Sequence, residues 1–73
     1  MRIAVLGAGM VGRTIANDLQ ASHEVTSFDI ADGNLSILKS MNERISVQKV
    51  NLLEFDNYDS LLNPFDFVVT AVP

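Results

Sequence analysis

The sequence predicts an α/β fold in which parallel strands alternate with helices in the order β-α-β-α-β-α-β. Two runs, 3–6 and 67–72, are almost wholly apolar, as in parallel strands that are covered on both faces. Between them, apolar residues recur at the three- and four-residue spacing of helices that bury one face. Right-handed crossovers then give the sheet order 3-2-1-4, a three-layer half domain with helices on both faces of the sheet.

The first strand, residues 2–6, is expected at the centre of the sheet because 3–6 carries no polar side chain. The helix that follows should run from about residue 10 to 21. Its expected buried face consists of Val11, Ile15 and Leu19, with Gly12 and Ala16 as the small residues nearest the strand.

The second strand is expected from about residue 24 to 28, with Asp29 at its carboxyl end. A second helix should begin near Asn34, whose side chain is able to cap it. The inner face of that helix is expected to carry Leu35, Leu38 and Met41, which lie three apart. A third strand, 45–50, alternates apolar and polar residues and therefore suits a less covered position toward the edge of the sheet.

A short helix from Asp56 to about Leu62 is ended by Asn63-Pro64, and the last strand takes residues 65–72. Because this strand is again nearly all apolar, it is predicted to be a second buried central strand beside the first. The junction of strands one and four is then the topological switch point, where the ligand crevice of such sheets lies.

The turn after the first strand carries three glycines in the pattern G-x-G-x-x-G. Gly7 permits the tight turn, Gly9 lets the main chain approach a pyrophosphate, and Gly12 lets the helix pack closely on the strand. Free N–H groups near Met10 and Val11 would face that diphosphate with the positive end of the helix dipole behind them. Strand, glycine turn, helix, strand and acid together predict a dinucleotide-binding site.

The acid of this pattern is Asp29, which lies 17 positions after Gly12, near the spacing of a carboxylate that binds an adenosine ribose hydroxyl. Its other interpretation is a turn or helix-cap residue, since Asp32-Gly33-Asn34 soon follows. A carboxylate here would repel the 2′-phosphate of NADP, and no Arg or Lys follows before Lys39. NAD is therefore expected over NADP. Leu52, where the chain leaves strand three, is expected to border the adenine ring.

Composition argues against other kinds of function. The chain has no cysteine, so it holds no disulfide or thiolate metal site. A net charge of −4 without a basic patch argues against nucleic acid, and no apolar run is long enough to span a bilayer. His23 is expected in a solvated loop rather than as a metal ligand. Three acids are expected to favour the positive end of a short helix rather than to catalyse: Glu54, Asp56 and Asp59. A cytoplasmic location is expected.

At 73 residues the chain has room for one half of a doubly wound domain, because domains most often take about 100–150 residues. Residues 1–73 are therefore expected to be a partial amino-terminal domain. The edge of the fourth strand would be apolar and unpaired, and such edges recruit other strands. A homodimer or larger assembly through that strand or the uncovered sheet face is expected.

The chain resembles the amino-terminal cofactor domain of the saccharopine dehydrogenase superfamily, and more closely its archaeal and bacterial lysine-dehydrogenase-like members. The similar segments are M-R-I-A-V-L-G-A-G-M-V-G-R-T-I-A-N-D-L at 1–19, D-I at 29–30 and F-D-F-V-V-T-A-V-P at 65–73. The A-x-P after the fourth strand is the more distinguishing part, since many enzymes share the glycine motif. The resemblance covers the whole chain but only the first part of a family protein.

The resemblance implies oxidation of a carbon–nitrogen bond in lysine or a lysine adduct, with hydride passed to NAD or NADP. It implies that the pyrophosphate is held by Gly7, Gly9, Met10, Val11 and Gly12. It also implies that Asp29 and Ile30 hold the adenosine ribose, and that Ala71 and Val72 pass near the nicotinamide. The family's catalytic and substrate-binding residues lie beyond residue 73. This chain is therefore expected to bind the cofactor weakly and to catalyse nothing, with no metal site.

A second class remains open. Nucleotide-sensing regulatory domains of potassium transporters and channels share this beginning, including the acid after strand two, and bind NAD or NADH without chemistry. They typically carry Gly-Asp-Ala where this chain has Val50-Asn51-Leu52, and they lack A-x-P at the fourth strand. These two differences favour the dehydrogenase family. An FAD enzyme ranks last, because it usually has Glu at the position of Asp29.

Overall fold

The computed structural model describes residues 1–53 and 58–72 and confirms the predicted α/β architecture. Its elements are β1 (Arg2–Leu6), α1 (Met10–Leu19), β2 (Glu24–Asp29), α2 (Asp32–Met41), β3 (Ser46–Lys49), α3 (Tyr58–Leu62) and β4 (Phe67–Thr70). The four strands are all parallel and lie in the order β3-β2-β1-β4.

The register of the sheet brings three strand ends together. In β1, Leu6 pairs with Phe28 of β2 on one side and with Thr70 of β4 on the other. Leu6 and Thr70 are the last residues of β1 and β4, and Asp29, which follows Phe28, is the last residue of β2. The three strands therefore end at one common edge. That edge is the carboxyl end of a parallel sheet, where open α/β folds bind their ligands.

The sheet is covered on both faces. On the face of α1 and α2 the buried cluster consists of Ile3, Val5, Ala8, Ala16, Val25, Leu35, Leu38 and Ile45. On the other face Ala4, Leu6 and Phe28 form a smaller cluster, against which Leu61, Leu62 and Phe65 pack. Because Ile3 through Leu6 are all buried, β1 is the central strand that its apolar run predicts.

Helix α1 packs differently from the expectation. It ends at Leu19, and its buried residues are Gly12 and Ala16, while Val11 is 65% exposed. The small residues let the helix axis approach the sheet, so they define the centre of the buried face. Val11 is rotated by about 100° from Gly12 around the helix axis, and the prediction that it is buried was wrong.

Helix α2 begins earlier than expected. It starts at Asp32 with Ala31 at its N-cap and no side-chain capping bond, so Asn34 lies inside the helix and does not cap it. The predicted inner face is confirmed for Leu35 and Leu38, which are buried, but Met41 is exposed. A series spaced three residues apart drifts by about 60° per step around a helix with 3.6 residues per turn, which carries Met41 off the inner face.

The last strand is not buried. Residues of β4 are mostly exposed, with Phe67 at 58%. The reason is that β4 is an edge strand, with β1 as its one neighbour among the described strands. The apolar run predicted the strand correctly and its burial in this chain wrongly. The predicted start of the last helix at Asp56, and Glu54 and Pro73, lie outside the described residues.

Candidate functional site

The glycine turn is built against the end of β4. Gly7 has a φ of 105°, a conformation that side chains penalise. A Cβ on Gly7 would lie 2.8 Å from the main-chain oxygen of Ala71. The N–H of Gly7 donates a 2.7 Å hydrogen bond to the carbonyl of Phe28. Gly7 therefore holds the turn between the ends of β2 and β4, where a side chain would not fit.

Gly12 allows the first turn of α1 to approach the glycine turn. A Cβ on Gly12 would overlap the carbonyl oxygen of Gly7 and come within 3.5 Å of the Ala71 side chain. The third glycine of the motif thus serves close packing of helix on strand, as its position predicts.

Gly9 differs from the other two glycines, because a Cβ there would have nothing within 4 Å. Gly9 is the N-cap of α1 and offers no side-chain cap, and the first turn of the helix carries no acidic residue. The N–H groups at the start of α1 thus have no side-chain cap or acid in their own turn. Such an uncapped N-terminus attracts an anion through its N–H groups and the helix dipole.

Asp29 is the last residue of β2, and its carboxylate joins three neighbouring segments. Oδ2 accepts a 2.7 Å hydrogen bond from the N–H of Ala8 and a 3.3 Å bond from Nδ2 of Asn34. Oδ1 accepts a 3.0 Å bond from the N–H of Ala31. The carboxylate is thereby held at the carboxyl end of the sheet, next to the glycine turn.

Two opposing effects set the pKa of Asp29. Burial acts to raise the pKa, but hydrogen bonds to the ionised form outweigh burial and hold the pKa below its usual value. The donors are the N–H groups of Ala31, Ala8 and Ile30 and the side-chain amide of Asn34. The group is therefore a carboxylate at neutral pH.

A cleft of about 710 Å³ opens beside Asp29 at this edge of the sheet. Its lining consists of Leu6, Gly7, Gly9, Asp29, Ile30, Asn34, Asn51, Leu52, Leu53, Tyr58, Thr70, Ala71 and Val72. The volume is in the range of small-molecule and cofactor sites, and the mixture of apolar walls with a few polar groups is typical of them.

Seven of the ten residues expected to bind a cofactor line this cleft: Gly7, Gly9, Asp29, Ile30, Leu52, Ala71 and Val72. Met10, Val11 and Gly12 do not line it. Gly12 is buried in the helix–turn contact, while the side chains of Met10 and Val11 are exposed. The role expected of Met10 and Val11 involves only their main-chain N–H groups, so the exposure of their side chains does not contradict it. Binding roles for all ten residues stay predictions.

Four polar residues that line the cleft are not among those predicted from the sequence to bind a ligand: Asn34, Asn51, Tyr58 and Thr70. Thr70 is the one that the sequence could have identified, because it is a polar residue near the end of the strand predicted beside β1. The sequence predicts Asn34 as a helix cap, whereas its side-chain amide donates to Asp29. Tyr58 donates its hydroxyl to the carbonyl of Leu52, a contact between a helix and a loop that local sequence patterns do not reveal.

The two lysines that follow Asp29 are occupied elsewhere. Nζ of Lys39 donates to the main-chain carbonyls of Glu43 and Ile45, each at 2.9 Å. Nζ of Lys49 lies 3.0 Å from the carboxylate of Asp32. No Arg or Lys is among the described residues that line the cleft, so Asp29 supplies the net charge of the described wall.

Two further candidate residues, Asp59 and His23, do not line the cleft. Asp59 is exposed and is not part of the cleft lining. His23 is half-buried rather than solvated, and lines a separate cavity of about 560 Å³ at the amino end of the strands. Across 1–53 and 58–72 there is no group of three or more His, Cys, Asp or Glu side chains that could hold a metal ion. Within the same ranges, every helix is too short or too polar to cross a membrane.

Comparison with known proteins gives a family match over the entire sequence. The family model described as shikimate / quinate 5-dehydrogenase matches residues 1–73. Protein CapL of Staphylococcus aureus is 33% identical over 76 residues, which cover 97% of this chain and 18% of that protein.

A solved structure with a similar fold is the apo, histidine-tagged saccharopine dehydrogenase (L-Glu forming) from Saccharomyces cerevisiae. It superposes with a TM-score of 0.81 at 20% identity over 99% of this chain and 16% of that one. The chain therefore spans less than a fifth of the length of either relative. The resemblance drawn from the sequence is confirmed to this extent: the chain has the fold of a Rossmann-like dehydrogenase domain.

Proposed function

We propose that this chain, which belongs to the shikimate / quinate 5-dehydrogenase family, binds the nicotinamide dinucleotide of an oxidoreductase in the cleft beside Asp29. The observation that carries the proposal is the meeting of Gly9 and Asp29 in one cleft. Gly9 leaves open space at an uncapped helix N-terminus, as a pyrophosphate requires. Asp29 supplies a carboxylate for a ribose hydroxyl.

The proposed contacts follow the lining of the cleft. The pyrophosphate lies over Gly7 and Gly9 and takes hydrogen bonds from the N–H groups at the start of α1, near Met10, Val11 and Gly12. The adenosine ribose lies at Asp29 and Ile30, and the adenine ring borders Leu52. The nicotinamide extends past Ala71 and Val72. In this arrangement the chain binds and orients the cofactor, which itself carries the hydride.

NAD is proposed over NADP on grounds of charge. The 2′-phosphate of NADP would come close to the carboxylate of Asp29, which a lowered pKa keeps ionised. Neither Lys39 nor Lys49 is unpaired to compensate, since Lys39 binds main-chain carbonyls and Lys49 pairs with Asp32. Because like charges held this close repel, NADH is expected to bind more tightly than NADPH.

The chemistry that this cofactor serves is proposed at the level of a dehydrogenase. Family membership supports a shikimate- or quinate-type hydroxyl substrate. The motifs at 1–19 and 65–73 support the alternative of a carbon–nitrogen bond in an amino acid. Residues 1–73 are proposed as a partial cofactor domain, and the substrate-binding and catalytic groups are proposed to belong to the rest of the protein. The proposed location is the cytoplasm.

Self-association is proposed through β4. Its edge is unpaired among the described strands, and its apolar side chains Phe67 and Val68 are exposed. An unpaired apolar edge is a template for another strand. Light scattering at high micromolar concentration is expected to show a dimer or larger species, and a monodisperse monomer would refute this part of the proposal.

Calorimetric titration of this chain with NADH and, separately, with NADPH tests the proposal. Binding of NADH with a clear preference over NADPH is the expected result. Absence of heat with both ligands, from a chain that circular dichroism shows to be folded, would overturn it. The same titration leaves open the alternative of a sensor that binds NAD(H) without chemistry. A hydride-transfer assay on the longer protein separates that sensor from a dehydrogenase.

A further inference from the structure

We propose that Asn34 is a second ribose-recognising residue, which positions Asp29 through Nδ2 and accepts one ribose hydroxyl at Oδ1. This inference rests on the proposed dinucleotide site and adds to it a residue that the glycine–acid pattern does not contain. The two residues lie together because Asp29 ends β2 and Asn34 lies in the first turn of α2.

Asp29 has little capacity left to accept hydrogen bonds from a ligand. An ionised carboxylate offers about four acceptor positions, two on each oxygen. Oδ2 already accepts from the N–H of Ala8 and from Nδ2 of Asn34, and Oδ1 accepts from the N–H of Ala31. The N–H of Ile30 also stabilises the charged carboxylate. At most one position, on Oδ1, remains for a ligand.

The ribose of the proposed ligand offers two hydrogen-bond donors. The adenosine ribose of NAD carries two adjacent hydroxyls, 2′ and 3′, and each is a donor that seeks an acceptor. Because Asp29 has at most one acceptor position left, it cannot accept from both hydroxyls while its hydrogen bonds within the chain persist. A second acceptor is needed within the reach of one ribose ring.

Asn34 offers a second acceptor beside Asp29. Asn34 lines the same cleft, and its Nδ2 is 3.3 Å from Oδ2 of Asp29. Its Oδ1 makes no hydrogen bond to the part of the chain described here, so the oxygen is available to a hydroxyl donor. Asn51 also lines the cleft, but its oxygen accepts from the N–H of Leu53 at 3.2 Å, whereas Asn34 is bonded directly to Asp29. Asn34 is therefore the side-chain amide placed to accept from the ribose that Asp29 binds.

This arrangement also strengthens the preference against a 2′-phosphate. A phosphate needs donors, and one of the two N–H donors on Nδ2 of Asn34 is already used by Asp29. The remaining Oδ1 presents a lone pair, as Asp29 does. The pair Asp29–Asn34 is thus suited to two free hydroxyls and unsuited to a phosphate ester.

The test compares the wild-type chain with Asn34→Leu, using ADP, 2′-deoxy-ADP and 3′-deoxy-ADP as titrants in calorimetry. Asn17→Leu makes the same change on the exposed face of α1 and serves as the matched control. The wild type and the control are expected to lose about three- to tenfold in affinity with each deoxy analogue, the usual effect of one hydrogen bond. Asn34→Leu is expected to bind ADP more weakly by a similar factor. It is also expected to bind one of the two deoxy analogues as tightly as it binds ADP.

A second readout does not depend on ligand. The carboxyl pKa of Asp29, followed by NMR in the ligand-free chain, is expected to rise in Asn34→Leu and to be unchanged in Asn17→Leu. Asn34→Ala, a smaller change, should reproduce both effects if the leucine disturbs the fold.

The proposal for Asn34 is overturned if Asn34→Leu and Asn34→Ala bind ADP as tightly as the wild type does. It is also overturned if these two variants lose as much affinity as the wild type with each deoxy analogue. If the folded wild-type chain binds neither ADP nor NADH, the proposed dinucleotide site itself fails, and the role of Asn34 with it. These two failures are distinguishable, because the first needs normal ADP binding by the wild type.

Discussion

The main-chain N–H of Ala8 donates a 2.7 Å hydrogen bond to Oδ2 of Asp29. The two residues are 21 positions apart in the sequence, yet this bond ties the middle of the glycine turn to the end of β2. The acid is thus part of the structure of the turn as well as a candidate ligand group. Changes at Asp29 should therefore affect both the fold and the binding of a dinucleotide.

Asp29→Asn is expected to weaken NADH binding by about ten- to a hundredfold, since a hydrogen bond to a charged group contributes about 1.5–3 kcal/mol. NADPH binding should change less, because the repulsion of its 2′-phosphate is removed together with the hydrogen bond. Parallel calorimetric titrations measure the ratio of the two affinities. Asp18→Asn, on the exposed face of α1, removes the same charge elsewhere and should leave that ratio unaltered. An unchanged ratio in Asp29→Asn would count against the proposed ribose contact.

The stability of the chain is expected to fall at acid pH through Asp29. Its pKa is lower in the folded chain than in the unfolded chain, so the stabilisation is fully present above the unfolded value of about 3.9. It is lost as the pH falls from that value through the folded pKa. The free energy of unfolding, measured by urea titration in buffers from pH 6 to pH 2, should decline less steeply for Asp29→Asn than for the wild type. Identical declines in the two proteins would contradict the lowered pKa.

Gly9→Ala separates ligand binding from folding. The added Cβ meets nothing within 4 Å, so the free energy of unfolding should change by no more than about 0.5 kcal/mol. The same Cβ occupies the space through which a pyrophosphate would approach, and NADH affinity should fall at least about tenfold, or about 1.4 kcal/mol.

The matched control for Gly9→Ala is Gly33→Ala, which also meets open space but lies in α2 outside the cleft lining. It is expected to stabilise the chain by about 0.5–1 kcal/mol, since glycine is unfavourable inside a helix, and to bind NADH normally. Equal NADH affinities for the two alanine variants would argue that no pyrophosphate lies over Gly9.

Gly7→Ala is expected to destabilise the fold. At a φ of 105° any side chain is strained, and the new Cβ would also press on the main-chain oxygen of Ala71 at 2.8 Å. A residue held in such a conformation costs about 1–3 kcal/mol, and the contact with β4 adds to that cost. Urea denaturation measures the loss. A midpoint equal to that of the wild type would mean that the turn relaxes freely away from β4.

Much of the fold follows from local sequence patterns. The apolar run of β1 specified a central strand, since a parallel strand covered on both faces has no polar position. The order of strands and helices followed from alternating periodicities and right-handed crossovers. The glycine pattern and Asp29 were recognisable because each lies next to a strand end, and strand ends are readable from composition.

Burial and side-chain partners did not follow from local patterns, because they depend on which surfaces meet. Val11 has the same four-residue spacing as Ile15, but the approach of α1 through Gly12 and Ala16 turns Val11 outward. The apolar composition of β4 does not bury it where the sheet ends. Asn34 looked like a cap by sequence, and only the packing of α2 beside the end of β2 brings its amide to Asp29. Periodicity in a chain specifies elements and their order, whereas the phase of each helix and the partners of each polar group arise from three-dimensional packing.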